Sequence, residues 1–194
     1  MKKILVLGAG IFQLPGILKA KNLGYYVISL DNIPNNIGHK YSDESVNISI
    51  DNIDSVVDFA KKKSINGICT FSSDIAIPTV AAVCYELDLP GVNIKVANIL
   101  SKKHLFRDFL NEHNYPNPKY IYSREYDKLL NLIKFFKYPI LFKPCDTSGS
   151  RGIVMVSNKN RKNENYAFNS AKKYSKSGFV CVEEFIDGKE YGGD

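Results

Sequence analysis

Two segments in the second half of this chain carry the residues best suited to bind a charged ligand. The first runs from Leu141 to Ile153 and combines an apolar stretch, a lysine at its end and a loop of serines and glycines. The second runs from Val182 to Tyr191 and places two glutamates at the end of an alternating pattern. Together they predict a nucleotide held between two layers of sheet.

Lys143 is the centre of this predicted site. It ends an apolar strand, where burial of an ammonium group is costly unless an anion neutralises it. Asp146 is one candidate for that anion, and a bound phosphate is the alternative. Residues 147 to 152 supply hydroxyl and backbone N–H donors that can surround a phosphate. Their spacing differs from that of a Walker loop, which is therefore excluded.

The strand end at Glu183 and Glu184 offers another kind of contact. A strand end can present a carbonyl and an N–H to the edge of adenine, and Glu190 can accept hydrogen bonds from ribose hydroxyls. The alternative is an acidic turn that faces solvent. The glycine loop that precedes this segment favours the nucleotide interpretation.

The N-terminal part carries a weaker phosphate signal. Residues from Gly8 to Gln13 follow a predicted strand and open a helix, where free N–H groups favour anions. Asp31 stands where a dinucleotide-binding fold places its ribose acid, but Gln13 replaces the third glycine of that motif. Ser73 and Asp74 follow another strand. They either cap a helix or contact a small molecule at the carboxyl edge of the sheet.

The elements that must position these residues predict an α/β protein of two domains. Alternating strand and helix patterns over residues 1–92 predict a Rossmann-like domain with a parallel sheet. Residues 93–117 predict a helical linker that ends in a rigid Tyr-Pro-Asn-Pro segment. Residues 118–194 predict an α+β domain. The stretch from Lys189 looks like a strand that is cut short, so we expect a longer protein.

Composition narrows the function classes. Hydrophobic residues make up 44% and charged residues 24%, a typical globular balance, and no apolar run approaches the ~20 residues of a membrane span. The net charge of +6 comes from dispersed lysines, which indicates solvation rather than nucleic-acid binding. The four cysteines form no C-x-x-C pair, which predicts neither zinc nor disulfides. Cys145 is interpreted as a passive loop residue, with a reactive thiol as the alternative.

In combination, these motifs resemble the ATP-grasp superfamily, and most of all its carbamoyl-phosphate-synthase-like ligases. The glycine turn looks like the start of a pre-ATP-grasp domain. Lys103 stands at the family's distance before Asn-Tyr-Pro-x-Pro. The segment from Lys143 to Ile153 is similar to the mobile phosphate loop, and residues 183 to 190 resemble the adenine hinge and ribose acid. The resemblance covers nearly the whole chain.

The resemblance implies an ATP-dependent carboxylate–amine ligase, in which ATP activates a carboxylate as an acyl phosphate for attack by an amine. The residues it assigns to ATP are Lys103, Lys143, Ser148, Gly149, Ser150, Gly152, Glu183, Glu184, Phe185, Ile186 and Glu190. The lysines would contact phosphates, and the loop would close over the β- and γ-phosphates. The Glu184 carbonyl and the Ile186 N–H would bind adenine, and Glu190 the ribose. Weaker substrate contacts are Gly10, Gln13, Ser73 and Asp74.

The resemblance also sets expectations about cofactors and partners. It implies ATP with Mg²⁺, whose ligands would lie beyond Asp194. We therefore expect neither catalytic nor metal-binding residues in this chain, and no turnover by the chain alone. Small-molecule carboxylate and amine substrates, a cytoplasmic location and the option of a homodimer follow from the same resemblance. Two alternatives stay open: a non-catalytic nucleotide-binding module and an NAD(P)-dependent oxidoreductase.

Overall fold

The computed structural model describes residues 1 to 191 and divides the chain into two compact units. The first unit is Met1–Ser101, and the second begins at Lys102. This boundary lies inside the segment that the sequence predicts as a helical linker. The first unit contains β1 (Lys3–Leu7), α1 (Leu14–Asn22), β2 (Tyr26–Asp31), β3 (Glu44–Asn47), α2 (Ile53–Lys63), β4 (Gly67–Thr70), α3 (Ile77–Glu86) and α4 (Ile94–Ser101), with 3-10 helices at Ile37–Tyr41 and Asp74–Ala76.

The four strands of the first unit form a parallel sheet in the order β3-β2-β1-β4. Because side chains alternate along β1, Leu5 and Leu7 pack on one face with residues of α2 and α3, such as Val56. Val6 packs on the opposite face with Ile17 of α1. A parallel sheet needs both faces covered. The Rossmann-like fold class predicted for this part of the chain is therefore confirmed.

The second unit combines an antiparallel sheet with three helices among the described residues. Its elements are α5 (Lys103–Glu112), β5 (Tyr120–Ser123), α6 (Tyr126–Ile133), β6 (Ile140–Pro144), β7 (Val154–Val156), α7 (Arg161–Tyr174) and β8 (Val180–Glu184). The strand order is β5-β8-β6-β7, and each neighbouring pair is antiparallel. The predicted α+β organisation is confirmed.

One face of this second sheet forms the hydrophobic core. Phe142 of β6 and Val182 of β8 are fully buried there, against Leu129 of α6 and Phe168 of α7. Alternation along β6 then turns Lys143 to the opposite face. The fold therefore gives the lysine a position away from the core while its neighbours stay buried.

Lys189, Glu190 and Tyr191 are not part of a strand, contrary to the strand predicted from Lys189, and residues 192 to 194 lie outside the described part of the chain. Among residues 1 to 191, no helix combines the length and the apolar character that a bilayer span requires.

The core of the second unit gives a direct stability prediction. Phe142→Ala should lower the free energy of unfolding by about 3–5 kcal/mol, because a fully buried ring leaves a cavity. Phe135→Ala is the matched control, since that ring is 64% exposed and its loss should cost less than about 1 kcal/mol. Urea denaturation followed by circular dichroism measures both, and equal losses would contradict this assignment of the core.

Candidate functional site

A buried carboxylate shared by two cations lies on the face of the second sheet opposite its core. The Glu183 side chain is only 3% exposed. Arg107 of α5 donates from Nε to Glu183 Oε1 at 2.9 Å and from Nη2 to Oε2 at 3.0 Å. Lys143 donates from Nζ to the same Oε2 at 2.6 Å. Two positive groups and one negative group leave a single positive charge at this point.

Asp146 is not the partner of Lys143, so that alternative from the sequence is wrong. Its carboxylate accepts hydrogen bonds from Ser175 Oγ at 2.9 Å, Lys176 N at 3.0 Å and Ser177 N at 2.6 Å. It closes the turn after α7. The reason is the register of β6 against β8, which pairs Lys143 with a residue two positions from Glu183 and leaves Asp146 beyond the strand end.

The two cations determine the charge state of Glu183. Burial alone would raise the pKa of this carboxyl, but the hydrogen bonds from Arg107 and Lys143 outweigh burial and hold the pKa below its usual value. Glu183 therefore stays ionised at neutral pH. Removal of either cation would leave this buried carboxylate with a single cationic partner.

A cavity of about 370 Å³ opens beside this cluster. The residues that line it come from α5, β6, the end of β8 and the chain that follows β8, and they include Arg107, Leu141, Lys143, Glu183, Glu184, Phe185, Ile186 and Glu190. The backbone N–H of Ile186 has no hydrogen-bond partner among residues 1 to 191. The structure thus brings Lys143 and the acidic strand end, separated by about 40 residues in sequence, to one cavity.

Lys103 begins α5 and is tied to the residues that open the glycine loop. Its backbone N donates to the Cys145 carbonyl at 2.8 Å, and its Nζ donates to the Thr147 carbonyl. Burial lowers the pKa of Lys103, and the positive charge of Lys143 lowers it further. An anion near both ammonium groups would relieve their repulsion.

The loop residues Ser148, Gly149, Ser150 and Gly152 do not line the cavity. Three of them have left-handed backbone conformations, with φ of 70° at Gly149, 55° at Ser150 and 74° at Gly152. The Thr147 hydroxyl donates to the Tyr174 carbonyl. The loop is therefore a tight turn fastened to the end of α7 and linked to Lys103 through its first residues.

Cys145 is fully buried, which favours the passive interpretation of this residue. Its N donates to the Phe179 carbonyl at 3.2 Å, so it continues the pairing of β6 with the chain before β8. A hydrogen bond with Cys181, assisted by His104, lowers the pKa of the Cys145 thiol. The thiol has no exposed surface for a reagent.

In the first unit, Gln13 and Asp31 hold the glycine turn in place. Gln13 is 8% exposed; its Oε1 accepts from Gly10 N at 3.1 Å, and its Nε2 donates to the Phe71 carbonyl. The Asp31 carboxylate accepts from Ala9 N at 2.7 Å. The turn after β1 is therefore held by hydrogen bonds to the ends of β2 and β4. The Asp31 carboxylate already accepts a hydrogen bond from this turn.

Ser73 and Asp74 follow Phe71 at the carboxyl end of β4. Ser73 precedes the 3-10 helix Asp74–Ala76 but makes no side-chain capping hydrogen bond, which contradicts a cap at Ser73, one of the alternatives that the sequence left open. These residues and the Gln13 turn lie at the same edge of the parallel sheet, because the carboxyl ends of parallel strands meet there.

Sequence reasoning missed Arg107, which the structure places at the centre of the site. Asn117 accepts from Arg107 Nη1 at 3.2 Å and donates from Nδ2 to the Arg107 carbonyl at 3.1 Å. One signal was present: Arg107 is four residues after Lys103 on a helix, so both side chains lie on one helix face.

The chain is similar to known proteins in both sequence and fold. The formate-dependent phosphoribosylglycinamide formyltransferase of Prochlorococcus marinus subsp. pastoris (strain CCMP1986 / NIES-2087 / MED4) is 30% identical over 198 residues, which cover 96% of this chain and 48% of that protein. The crystal structure of phosphoribosylglycinamide synthetase from Anaerococcus prevotii matches with a TM-score of 0.66 and 27% identity, over 96% of this chain and 46% of that one.

A third match is a biotin carboxylase domain dimer of Hydrogenobacter thermophilus 2-oxoglutarate carboxylase in complex with MgADP, ADP and bicarbonate. Its TM-score is 0.75 at 22% identity, over 96% of this chain and 44% of that one, which shows a shared fold. No protein-family model matches the chain. The chain spans about half the length of the curated relatives it matches.

The glycine loop gives a paired prediction. A Cβ at Gly149 would meet nothing within 4 Å, so Gly149→Ala should cost only the strain of a left-handed residue, about 1 kcal/mol. A Cβ at Gly152 would lie 2.7 Å from Tyr174 Cδ2, so Gly152→Ala should cost roughly 1–3 kcal/mol more. Urea denaturation measures both, and equal losses would contradict the contact with Tyr174.

The lowered pKa of Glu183 predicts a pH dependence of stability. A carboxyl with a depressed folded-state pKa stabilises the fold above the unfolded value and loses this contribution as pH falls through the folded value. The stability gap between wild type and Glu183→Gln should be widest at neutral pH and narrow below about pH 4.3, the ordinary pKa of glutamate. Thermal unfolding from pH 7 to pH 3 measures it.

Glu190→Gln is the control for this pH series, since Glu190 is exposed on the same cavity. Its stability should follow that of the wild type at every pH. A gap for Glu183→Gln that stays constant from pH 7 to pH 3 would show that the two cations do not act on the Glu183 charge.

Proposed function

Because this chain corresponds to the N-terminal half of ATP-grasp ligases, we propose that it supplies the ATP-binding part of an enzyme that activates a carboxylate for attack by an amine. The observation that supports this most is the cavity of about 370 Å³ between Lys143 and the chain after β8. Its volume lies in the range of small-molecule sites. It combines a positive charge at one wall with backbone groups at another.

The phosphates would be held by the cations of the second unit. Lys143 would contact a phosphate from the cavity wall, and Lys103 would add a second ammonium group. The N–H groups and hydroxyls of Ser148, Gly149, Ser150 and Gly152 would close over the β- and γ-phosphates, which requires the loop to move toward the cavity. Phosphoryl transfer depends mainly on such positioning and charge compensation, which is the contribution proposed for this chain.

The nucleoside would be held by the segment after β8. The unpaired N–H of Ile186 and the carbonyl of Glu184 would bind the edge of adenine, with Phe185 beside them in the cavity wall. The exposed carboxylate of Glu190 would accept hydrogen bonds from ribose hydroxyls. The Glu183 side chain would bind no nucleotide atom, because Arg107 and Lys143 already occupy it; it would orient Lys143 instead.

The remaining partners belong to the same proposal. Gly10, Gln13, Ser73 and Asp74 would contact a small-molecule substrate at the sheet edge of the first unit. Residues 1 to 191 contain no cluster of three or more His, Cys, Asp or Glu side chains that could hold a metal ion. Magnesium is proposed to accompany ATP, because the biotin carboxylase domain with this fold was crystallised in complex with MgADP.

A cytoplasmic location and a homodimeric assembly are also part of the proposal. The four cysteines are free, which is typical of the reducing cytoplasm. A homodimer is proposed because the biotin carboxylase domain with this fold was crystallised as a dimer.

Titration of the isotope-labelled chain with ATP, followed by ¹H–¹⁵N NMR, tests the proposal and measures dissociation constants into the millimolar range. Signals of Ile186 and of the loop from Ser148 should shift. Lys143→Met should raise the dissociation constant about 10- to 100-fold, the scale of one hydrogen bond to a charged group. Lys128→Met is the matched control, because Lys128 is an exposed residue of α6 on the other face of the sheet.

The same titration with NADH separates the oxidoreductase alternative. ATP should shift signals of the second unit, whereas NADH should shift none at comparable concentration. An NADH response around Gly10 without an ATP response at Ile186 would overturn the proposal, and so would equal ATP affinity of Lys143→Met and wild type.

A further inference from the structure

Arg107 has no role in the ATP contacts proposed above, although it forms the most extensive side-chain pairing in the site. Its guanidinium donates to both oxygens of Glu183 and to the Asn117 amide oxygen. Its side chain is 23% exposed and lines the cavity.

The geometry distributes the carboxylate of Glu183 unequally between two cations. Arg107 takes one hydrogen bond on each oxygen, and Lys143 takes one on Oε2 alone. An ammonium group has three donors, so a single bond to Glu183 leaves Lys143 with donors for another anion. Lys143 is also 17% exposed, on the wall of the cavity.

We propose that Arg107 is a positioning residue for nucleotide binding: by binding both oxygens of Glu183, it keeps the charge and the free donors of Lys143 available to a phosphate. This inference rests on the proposed function. With Arg107 present, the cluster carries one net positive charge next to the cavity. Without Arg107, Glu183 and Lys143 would neutralise each other, and the attraction for a polyanion would be lost.

Arginine suits this role better than lysine would. A planar guanidinium matches a carboxylate with two parallel N–H donors, whereas an ammonium group acts as a point charge. Asn117 fixes the orientation of the guanidinium through Nη1 and binds the backbone carbonyl of the same residue. The guanidinium of Arg107 is therefore oriented toward Glu183 without any bound ligand.

The charges around Glu183 define how pH should affect an Arg107 variant. Besides the two cations, Glu183 faces Tyr120 on the paired strand β5 and Cys181, whose Sγ lies 3.6 Å from Oε1. The Tyr120 hydroxyl donates to the carboxylate of Asp108 on α5, which is therefore a second negative charge near Glu183. Loss of Arg107 removes the largest influence that lowers the pKa of Glu183. Protonation of Glu183, which should occur at a higher pH in this variant than in the wild type, would then release Lys143.

ATP titrations of the 194-residue chain by ¹H–¹⁵N NMR test this proposal with three variants. Arg107→Met should raise the dissociation constant about ten-fold or more, the scale of one lost charge-assisted contact. The double variant Arg107→Met with Glu183→Gln should recover most of the wild-type affinity, because Lys143 regains its net charge. Arg107→Lys should bind ATP with an intermediate affinity, since lysine restores the positive charge but not the two parallel N–H donors of the guanidinium.

The pH profile separates positioning from a general structural effect. The ratio of the Arg107→Met and wild-type dissociation constants should fall as pH is lowered from 7.5 to 5, whereas a structural defect would leave it constant or increase it. A double variant that binds as weakly as Arg107→Met, or an Arg107→Met that binds like the wild type, would overturn the proposal. Failure of the wild type to bind ATP would instead overturn the proposed function.

Discussion

The second unit depends on one buried carboxylate that two cations share. Glu183 lies at the end of β8 on the face opposite the hydrophobic core, and its charge persists there because Arg107 and Lys143 compensate it. A single lysine would neutralise the acid and be neutralised by it. The addition of an arginine turns a closed ion pair into a cluster with one spare positive charge, and that charge borders the cavity.

The position of this cluster follows from how β8 sits in the sheet. β8 is a central strand that pairs with β5 on one side and with β6 on the other. Its alternating side chains therefore place Val182 in the core and Glu183 on the opposite face, where Leu141 is its paired residue on β6. A one-residue slip of β8 would send the acid into the hydrophobic core and a valine to the cavity. The register that builds the core thus also forms the face that borders the cavity.

Local patterns in the sequence predicted the elements well. The hydrophobic run from Lys3 to Leu7, the helical spacing after it and the short strands around Lys143 each depend on neighbouring residues, which is the information that periodicity contains. The parallel sheet of the first unit and the α+β organisation of the second unit were therefore predictable. The convergence of Lys143 and Ile186 on one cavity was predicted from the order and spacing of the motifs, whose roles in binding stay predictions.

The errors concern pairs of residues that are distant in sequence. Asp146, three residues from Lys143, was the natural candidate for its counter-ion, but the true partner is 40 residues away on another strand. Arg107 and Glu183 are separated by 76 residues, and no local pattern encodes their contact. Both depend on strand register and on where α5 lies over the sheet, which only the three-dimensional structure provides.

A crystal structure of this chain with a non-hydrolysable ATP analogue is the most direct test. It should show a phosphate oxygen within hydrogen-bond distance of Lys143 Nζ, the adenine edge at the Ile186 N–H, and Arg107 still bound to both oxygens of Glu183. An analogue bound at the glycine turn after β1, or a Lys143 that stays on Glu183 without any phosphate contact, would contradict the function proposed for this cavity.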